Sequence, residues 1–164
     1  MADNREPTPE EIDAIPHLDR EFPEVAKAFN QASVLVRKAY KEVGLGVDLV
    51  ELITVRASQI NRCGTCLSVH IPRALKAGVP QRKIDFLPAW REIDGLYDER
   101  EKSALELCEQ LTILPHGQAN NAAALQALNY FSKPQIAALE YAILNINLHN
   151  RISIASHHPL REAQ

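Results

Sequence analysis

Two cysteines and a histidine are spaced so that their side chains can react together on one helix. Cys63, Cys66 and His70 form a C-x-x-C-x-x-x-H run, and Glu51 precedes the first cysteine by twelve residues. In an α-helix, offsets of three and seven residues bring side chains to one face, within roughly 60° of arc. Two thiols and an imidazole can therefore meet. The pattern predicts a redox site.

The chemistry of such a site depends on how a thiol is ionised. Only the thiolate attacks, and an ordinary cysteine pKa near ~8.5 leaves a few per cent ionised at neutral pH. His70, one turn after Cys66, is within reach as a base, whereas Cys63, one turn before it, can form a disulfide and lies at the predicted helix N-terminus, which favours an anion. Glu51 can orient His70 if the two helices form a hairpin. The set supports either hydroperoxide reduction through a sulfenic acid or exchange with external disulfides.

Composition limits the classes of protein to consider. The 164 residues, 46% of them hydrophobic, predict a single domain over residues 1–164. A net charge of −3 without a run of Lys or Arg gives no reason to expect nucleic acid or a membrane as partner. The N-terminus lacks the apolar core of a signal peptide, so we expect a cytoplasmic protein. In that reducing compartment, a C-x-x-C run is typical of a catalytic or metal-binding site.

The apolar spacing is helical throughout and predicts an all-α domain of six or seven helices, with the redox motif at a helix N-terminus. Capping boxes are expected where Thr8, Asp98 and Ser132 precede Glu or Gln by three residues, and Gly78 is predicted as a left-handed cap. Pro72 should kink the motif helix or end it early. Residues 1–22 are expected to form an arm. The predicted helices cover about 9–16, 23–43, 47–61, 63–77, 98–114, 118–130 and 132–152.

The stretch from Glu51 to His70, ELITVRASQINRCGTCLSVH, resembles the AhpD-like alkylhydroperoxidases of the carboxymuconolactone decarboxylase superfamily. The similarity continues over a core of residues 51–151. The resemblance implies a compact all-α fold, peroxidase activity on hydroperoxides, no metal or flavin cofactor, and a homo-oligomer, either trimer or hexamer. The disulfide would be reopened by a small thiol, a lipoyl protein or a thioredoxin-like protein.

The same resemblance implies roles for the four site residues. Cys66 would attack the peroxide, Cys63 would resolve the intermediate, and Glu51 and His70 would relay the proton. Some family members carry a histidine between the two cysteines, where this chain has Thr65.

Three other functions remain open from the sequence. The dithiol also suits a general disulfide oxidoreductase. Non-redox enzymes related to carboxymuconolactone decarboxylase are disfavoured, because such relatives generally lack the cysteine pair. A zinc-stabilised helical module would need a fourth ligand, for which the candidates by residue type are His116, His149, His157 and His158.

Several remaining residues are expected to have structural roles. Cys108 is predicted to be a buried core residue. His157 and His158 are predicted to lie in a solvated tail. His149 is expected to pack on the last helix, and lining the pocket is the alternative. Trp90 and Tyr97 are predicted as core or interface aromatics.

Overall fold

The structure, a computed structural model, describes Arg5 and residues 8–114 and 121–161. Within these ranges it contains nine α-helices, one 3-10 helix and no β-strand, which confirms the predicted all-α class. The α-helices are α1 (Pro9–Asp13), α2 (Leu18–Glu21), α3 (Pro23–Glu42), α4 (Val47–Ile60), α5 (Gly64–Lys76), α6 (Gln81–Phe86), α7 (Glu99–Ile113), α8 (Ala122–Ala127) and α9 (Lys133–Ala155), and the 3-10 helix is Leu87–Glu92.

The number of helices in the described residues exceeds the six or seven predicted because three short elements were missed. These are α2, α6 and the 3-10 helix, none of which exceeds six residues. An element of one or two turns is too short to show a helical hydrophobic period. The predicted helix over 118–130 is shorter, since α8 begins at Ala122, and residues 118–120 lie outside the described residues.

The predicted caps occur at the starts of the helices. Thr8, Asp98 and Ser132 each form a capping box with the residue three positions later. Gly78 has φ +98°, as predicted for a left-handed residue after α5. The prediction that α5 could end early at Pro72 is wrong, because α5 continues to Lys76. Proline removes a single donor from the helix, and fully buried Ala74 packs the turn beyond it into the core.

Helix α4 is central to the packing and positions the site. It packs against α5, α7 and α9, while α3 packs against α9. Leu52, Ile53 and Val55 on α4 are fully buried. Trp90 and Tyr97 are also buried in the core, which is one of the two positions predicted for them. Among the described helices, none has the length and apolar character needed to cross a membrane.

A tight turn joins α4 to α5 and determines where the motif begins. Arg62 has φ 59°, a left-handed conformation in which glycine is more usual. The amide of Arg62 donates to the carbonyl of Gln59 at 3.1 Å, and that of Cys63 donates to Ser58 at 3.0 Å. These bonds close the last turn of α4, so the chain reverses directly into Cys63. The two helices form the predicted hairpin.

A buried polar network joins this turn to α9. The Asn61 side-chain amide donates to the side-chain oxygens of Asn147, at 2.8 Å, and Asn150, at 2.9 Å. The Asn150 amide in turn donates to the Ser58 hydroxyl at 3.1 Å. Buried polar groups stabilise a fold when their hydrogen bonds are made, as here. The network holds the start of α5 at a defined position relative to α9.

Candidate active site

The dithiol lies at the N-terminus of α5, as the spacing predicts. Cys63 is the N-cap residue, and its Sγ accepts a hydrogen bond from the amide of Cys66 at 3.3 Å. The two cysteines are joined in a disulfide with their Cα atoms 5.3 Å apart. Both are buried, with 2% and 6% of their surfaces exposed. The pair can therefore be oxidised and reduced with little movement of the backbone.

Glu51 and His70 face each other across the hairpin of α4 and α5. The carboxylate Oε2 of Glu51 lies 2.8 Å from Nδ1 of His70, and both side chains are largely buried. A carboxylate on one ring nitrogen fixes the tautomer and the orientation of an imidazole. Nδ1–H is then the donor to Glu51, and Nε2 is left to accept or deliver a proton.

Three of the four predicted site residues line one cavity of about 510 Å³. They are Cys66, His70 and Glu51, whereas Cys63 is not among the lining residues. The volume lies within the range of small-molecule pockets. A molecule in this cavity would meet Cys66, Glu51 and His70, and the disulfide joins Cys63 to Cys66. The opposite wall comes from α3 and α9 and includes Ser33, Tyr40, Asn145 and His149.

That opposite wall contains a polar cluster that sequence analysis largely missed. Ser33 Oγ lies 2.7 Å from His149 Nε2 and 2.9 Å from Asn145 Oδ1. Burial lowers the pKa of His149, and the nearby charges of His70 and Arg37 lower it further. His149 lines the cavity, which was the alternative to the packing role expected from the sequence. The signal in the sequence was a serine on the buried face of an amphipathic helix.

The C-terminal segment, residues 156–161, crosses the start of the motif helix. His157 has φ 47°, a left-handed conformation that turns the chain at the end of α9. The Thr65 hydroxyl then donates to the carbonyl of His158 at 2.5 Å, and the amide of Arg161 donates to the Ser68 hydroxyl at 2.9 Å. The prediction of a solvated tail holds for exposed His157 and is wrong for partly buried His158. The reason is this chain reversal, which a sequence pattern does not reveal.

The other cysteine and the proposed zinc ligands have different surroundings from the Cys63–Cys66 pair. Cys108 is fully buried in the core, as predicted, and burial raises the pKa of its thiol to about 12. Of the proposed zinc ligands, His149 lies in the cavity wall, His158 faces Asp19 and His157 is exposed. His116 lies outside the described residues. In the part of the chain that the structure describes, no metal-capable group of side chains includes Cys63 or Cys66.

The fold and the site together define an all-α protein with a buried dithiol beside a carboxylate–imidazole pair. Residues 23–110 match the model of the Carboxymuconolactone decarboxylase family, and the chain belongs to that family. The match begins well before Glu51, the start of the core expected from sequence, and ends before residue 151.

Two similar proteins support the family assignment. The uncharacterized protein YdfG of Bacillus subtilis is 35% identical over 120 residues, which cover 73% of this chain and 81% of that protein. A protein of unknown function from Agrobacterium tumefaciens, described as a candidate antioxidant defence protein AhpD, has a crystal structure with a TM-score of 0.78. It is 26% identical, and the alignment covers 91% of this chain and 99% of that one. The predicted resemblance to AhpD-like proteins is confirmed.

Proposed function

We propose that this protein is a thiol peroxidase that reduces hydroperoxides through Cys63 and Cys66, with Glu51 and His70 as the proton relay. One observation carries the proposal. Cys66 lines the same cavity as both relay residues, and Cys63 does not. A small oxidant in the cavity therefore meets one thiol first, and the second thiol is already within bonding range of the first.

The proposed reaction has two chemical steps. The Cys66 thiolate attacks the terminal oxygen of the hydroperoxide, the O–O bond breaks, and the departing alkoxide takes a proton through His70, which gives an alcohol and a Cys66 sulfenic acid. The Cys63 thiolate then attacks the Cys66 sulfur, hydroxide leaves as water after protonation, and the disulfide forms. Two electrons pass from the dithiol to the peroxide. An external thiol, lipoyl or thioredoxin-like reductant restores both thiols.

The geometry favours peroxide reduction over general disulfide exchange. Exchange with a folded protein needs its disulfide to reach a sulfur, and both sulfurs are buried beside the C-terminal segment. A cavity of about 510 Å³ admits an organic hydroperoxide, or the end of a flexible thiol or lipoyl arm. The description of the similar Agrobacterium protein as a candidate antioxidant defence protein AhpD supports the same choice.

The proposal includes a single-domain subunit, its assembly and its compartment. Leu35 on α3 and Tyr141 on α9 are apolar side chains with 65% and 63% of their surfaces exposed, and their two helices pack together. Val34 and Leu144, from the same helices, are also exposed. Apolar surface of this kind supports a homo-oligomer, either trimer or hexamer, which light scattering would detect.

The redox cycle supports a cytoplasmic location, because the dithiol must be re-reduced in each cycle and that compartment keeps thiols reduced.

Single-turnover kinetics with pre-reduced protein and an organic hydroperoxide test the proposal. Cys66→Ser should lose the reaction. Cys63→Ser should react once and accumulate a sulfenic acid that dimedone traps, because the resolving thiol is missing. Cys108→Ser is the matched control and should react as the wild type does. Equal reactivity of the Cys63 and Cys66 variants would contradict the assignment, and rapid reaction with disulfides but not with peroxides would favour the exchange activity.

A further inference from the structure

Three potential metal ligands from opposite ends of the chain meet beside the redox motif. His17 immediately precedes α2, Asp19 lies within α2, and His158 follows α9. Their ligand atoms all lie within 4.8 Å of one another. Nε2 of His158 is 3.1 Å from Oδ1 of Asp19, and the rings of His17 and His158 have centroids 6.0 Å apart. The proposed redox cycle uses none of these side chains.

We propose that His17, Asp19 and His158 bind a divalent transition-metal ion of the Zn²⁺ class. Two imidazoles and one carboxylate are the ligands that zinc and its neighbours accept, whereas Mg²⁺ and Ca²⁺ prefer oxygen ligands alone. With metal–ligand bonds of about 2.0–2.1 Å, tetrahedral ligand atoms lie roughly 3.3 Å apart. His158 and Asp19 are already near that separation. Small side-chain rotations would bring His17 to a similar distance, and a water molecule would be the fourth ligand.

The His17 ring provides a second, independent observation. Its Nδ1 atom is buried and has no hydrogen-bond partner among the described residues. A buried imidazole nitrogen without a partner is unfavourable, and native structures usually satisfy such groups. An ion pair between Asp19 and His158 alone would leave this nitrogen unexplained. A metal ion bound by all three side chains accounts for why the His17 ring lies here.

The surrounding contacts hold the ligands in place. The amide of Leu18, between two of the ligands, donates to the Ser156 hydroxyl at 3.1 Å, which joins α2 to the end of α9. Nδ1 of His158 lies 3.3 Å from the Ser153 hydroxyl, so its Nε2 faces Asp19. Metal-binding histidines commonly have such a partner on the second nitrogen. Because Thr65 donates to the carbonyl of His158, the bound ion would also fix the segment that crosses the dithiol.

Zinc titration of the untagged protein against a chromophoric chelator tests the site. The disulfide is kept intact, so that the sulfurs of Cys63 and Cys66 do not bind the metal. We expect one ion per chain, with affinity that falls at acidic pH because the imidazoles must be neutral. His158→Ala and Asp19→Asn should each lower the affinity by at least about 10–100-fold. His157→Ala is the matched control, since that histidine is adjacent in sequence and exposed, and its affinity should be unchanged.

Three results would overturn the proposal. The first is the absence of zinc binding by the oxidised wild type at micromolar concentrations. The second is an unchanged zinc affinity in Asp19→Asn, and the third is an equal loss of zinc affinity in His157→Ala and His158→Ala. Circular dichroism of each variant separates loss of a ligand from loss of the fold. Asp19→Asn is the substitution least expected to disturb folding, because Asp19 is exposed. None of these results depends on peroxidase activity, so the metal site and the redox function succeed or fail separately.

Discussion

Two carboxylates, those of Glu109 and Glu51, have different surroundings in this protein. Glu109, on α7, is buried and accepts hydrogen bonds from Arg56, Arg91 and Trp90. Glu51, on α4, has His70 as its hydrogen-bond partner among the described residues, and it lines the cavity. A carboxylate with three donors is held in its charged form and fixed in place. One that shares a single imidazole beside open space can take part in proton transfer.

The cysteines show the same contrast. Cys108 is fully buried, its Sγ lies 3.2 Å from the carbonyl of Ile53, and burial raises its pKa to about 12. Cys66 is almost as inaccessible by area but lies in the cavity wall beside His70. Total burial therefore does not distinguish the thiol proposed to react from the thiol in the core. What differs is that Cys66 lines a cavity together with His70, whereas Cys108 does not.

The largest expected effect is on the rate of the peroxide reaction. Glu51→Gln and His70→Ala should each slow single turnover by roughly 10²–10⁴-fold, because each removes part of one proton relay. The double variant should be little slower than the slower single variant, since both side chains act on the same proton. Thermal unfolding of the Glu51→Gln protein should stay close to that of the wild type. A double variant whose loss equals the product of the single losses would show that the two residues act independently.

The second prediction concerns stability. Glu109→Gln should lower the free energy of unfolding by about 3–5 kcal/mol, because it removes the charge that partners the largely buried guanidinium of Arg56. Glu106→Gln is the matched control, since Glu106 also pairs with Arg91 but is more exposed, and it should lose no more than about 1 kcal/mol. Urea unfolding at a fixed protein concentration measures both. Similar losses in the two variants would remove the distinction between the buried and the exposed pair.

The third prediction is the pH dependence of that stability. Burial acts to raise the pKa of Glu109, but hydrogen bonds from Arg91, Trp90 and Arg56 outweigh it and hold the pKa below its usual value of 4.5. A depressed folded-state pKa contributes stability above the unfolded value, and this contribution is lost as pH falls through the folded value. The wild type should therefore lose its advantage over Glu109→Gln on acidification. The urea midpoints of the two proteins between about pH 7 and pH 3 measure this difference in stability. A difference that stays constant with pH would contradict the lowered pKa of Glu109.

The smallest expected effect is at Cys108. After reduction of the native protein, a thiol reagent should modify Cys66, which lines the cavity, and leave Cys108 untouched until the chain is unfolded, because the Cys108 thiol is buried and its pKa is raised. Mass spectrometry of the modified protein identifies the sites. Labelling of Cys108 at the rate of Cys66 in the folded protein would mean that the core opens near α7.

The amino-acid sequence by itself determined the all-α class, the helix caps and the relative positions of the site residues on the α4–α5 hairpin. The offsets between Cys63, Cys66 and His70 are geometric consequences of one helix, and the Thr8, Asp98 and Ser132 caps depend on side chains three residues away. Glu51 could be placed opposite His70 because only a short turn joins their helices. These interactions are local, so the residue spacing is sufficient to predict them.

Contacts between distant parts of the chain were decided only by the tertiary structure. Ser33 meets His149 across 116 positions of sequence, and Asp19 meets His158 across 139. A left-handed residue at the end of α9 is what brings the C-terminal segment onto α5. No periodicity connects such residues, because their proximity depends on how α3, α9 and the terminal segments pack. The walls of the cavity and the histidine cluster beside it therefore required the folded chain, whereas the groups proposed to react could be found from the sequence.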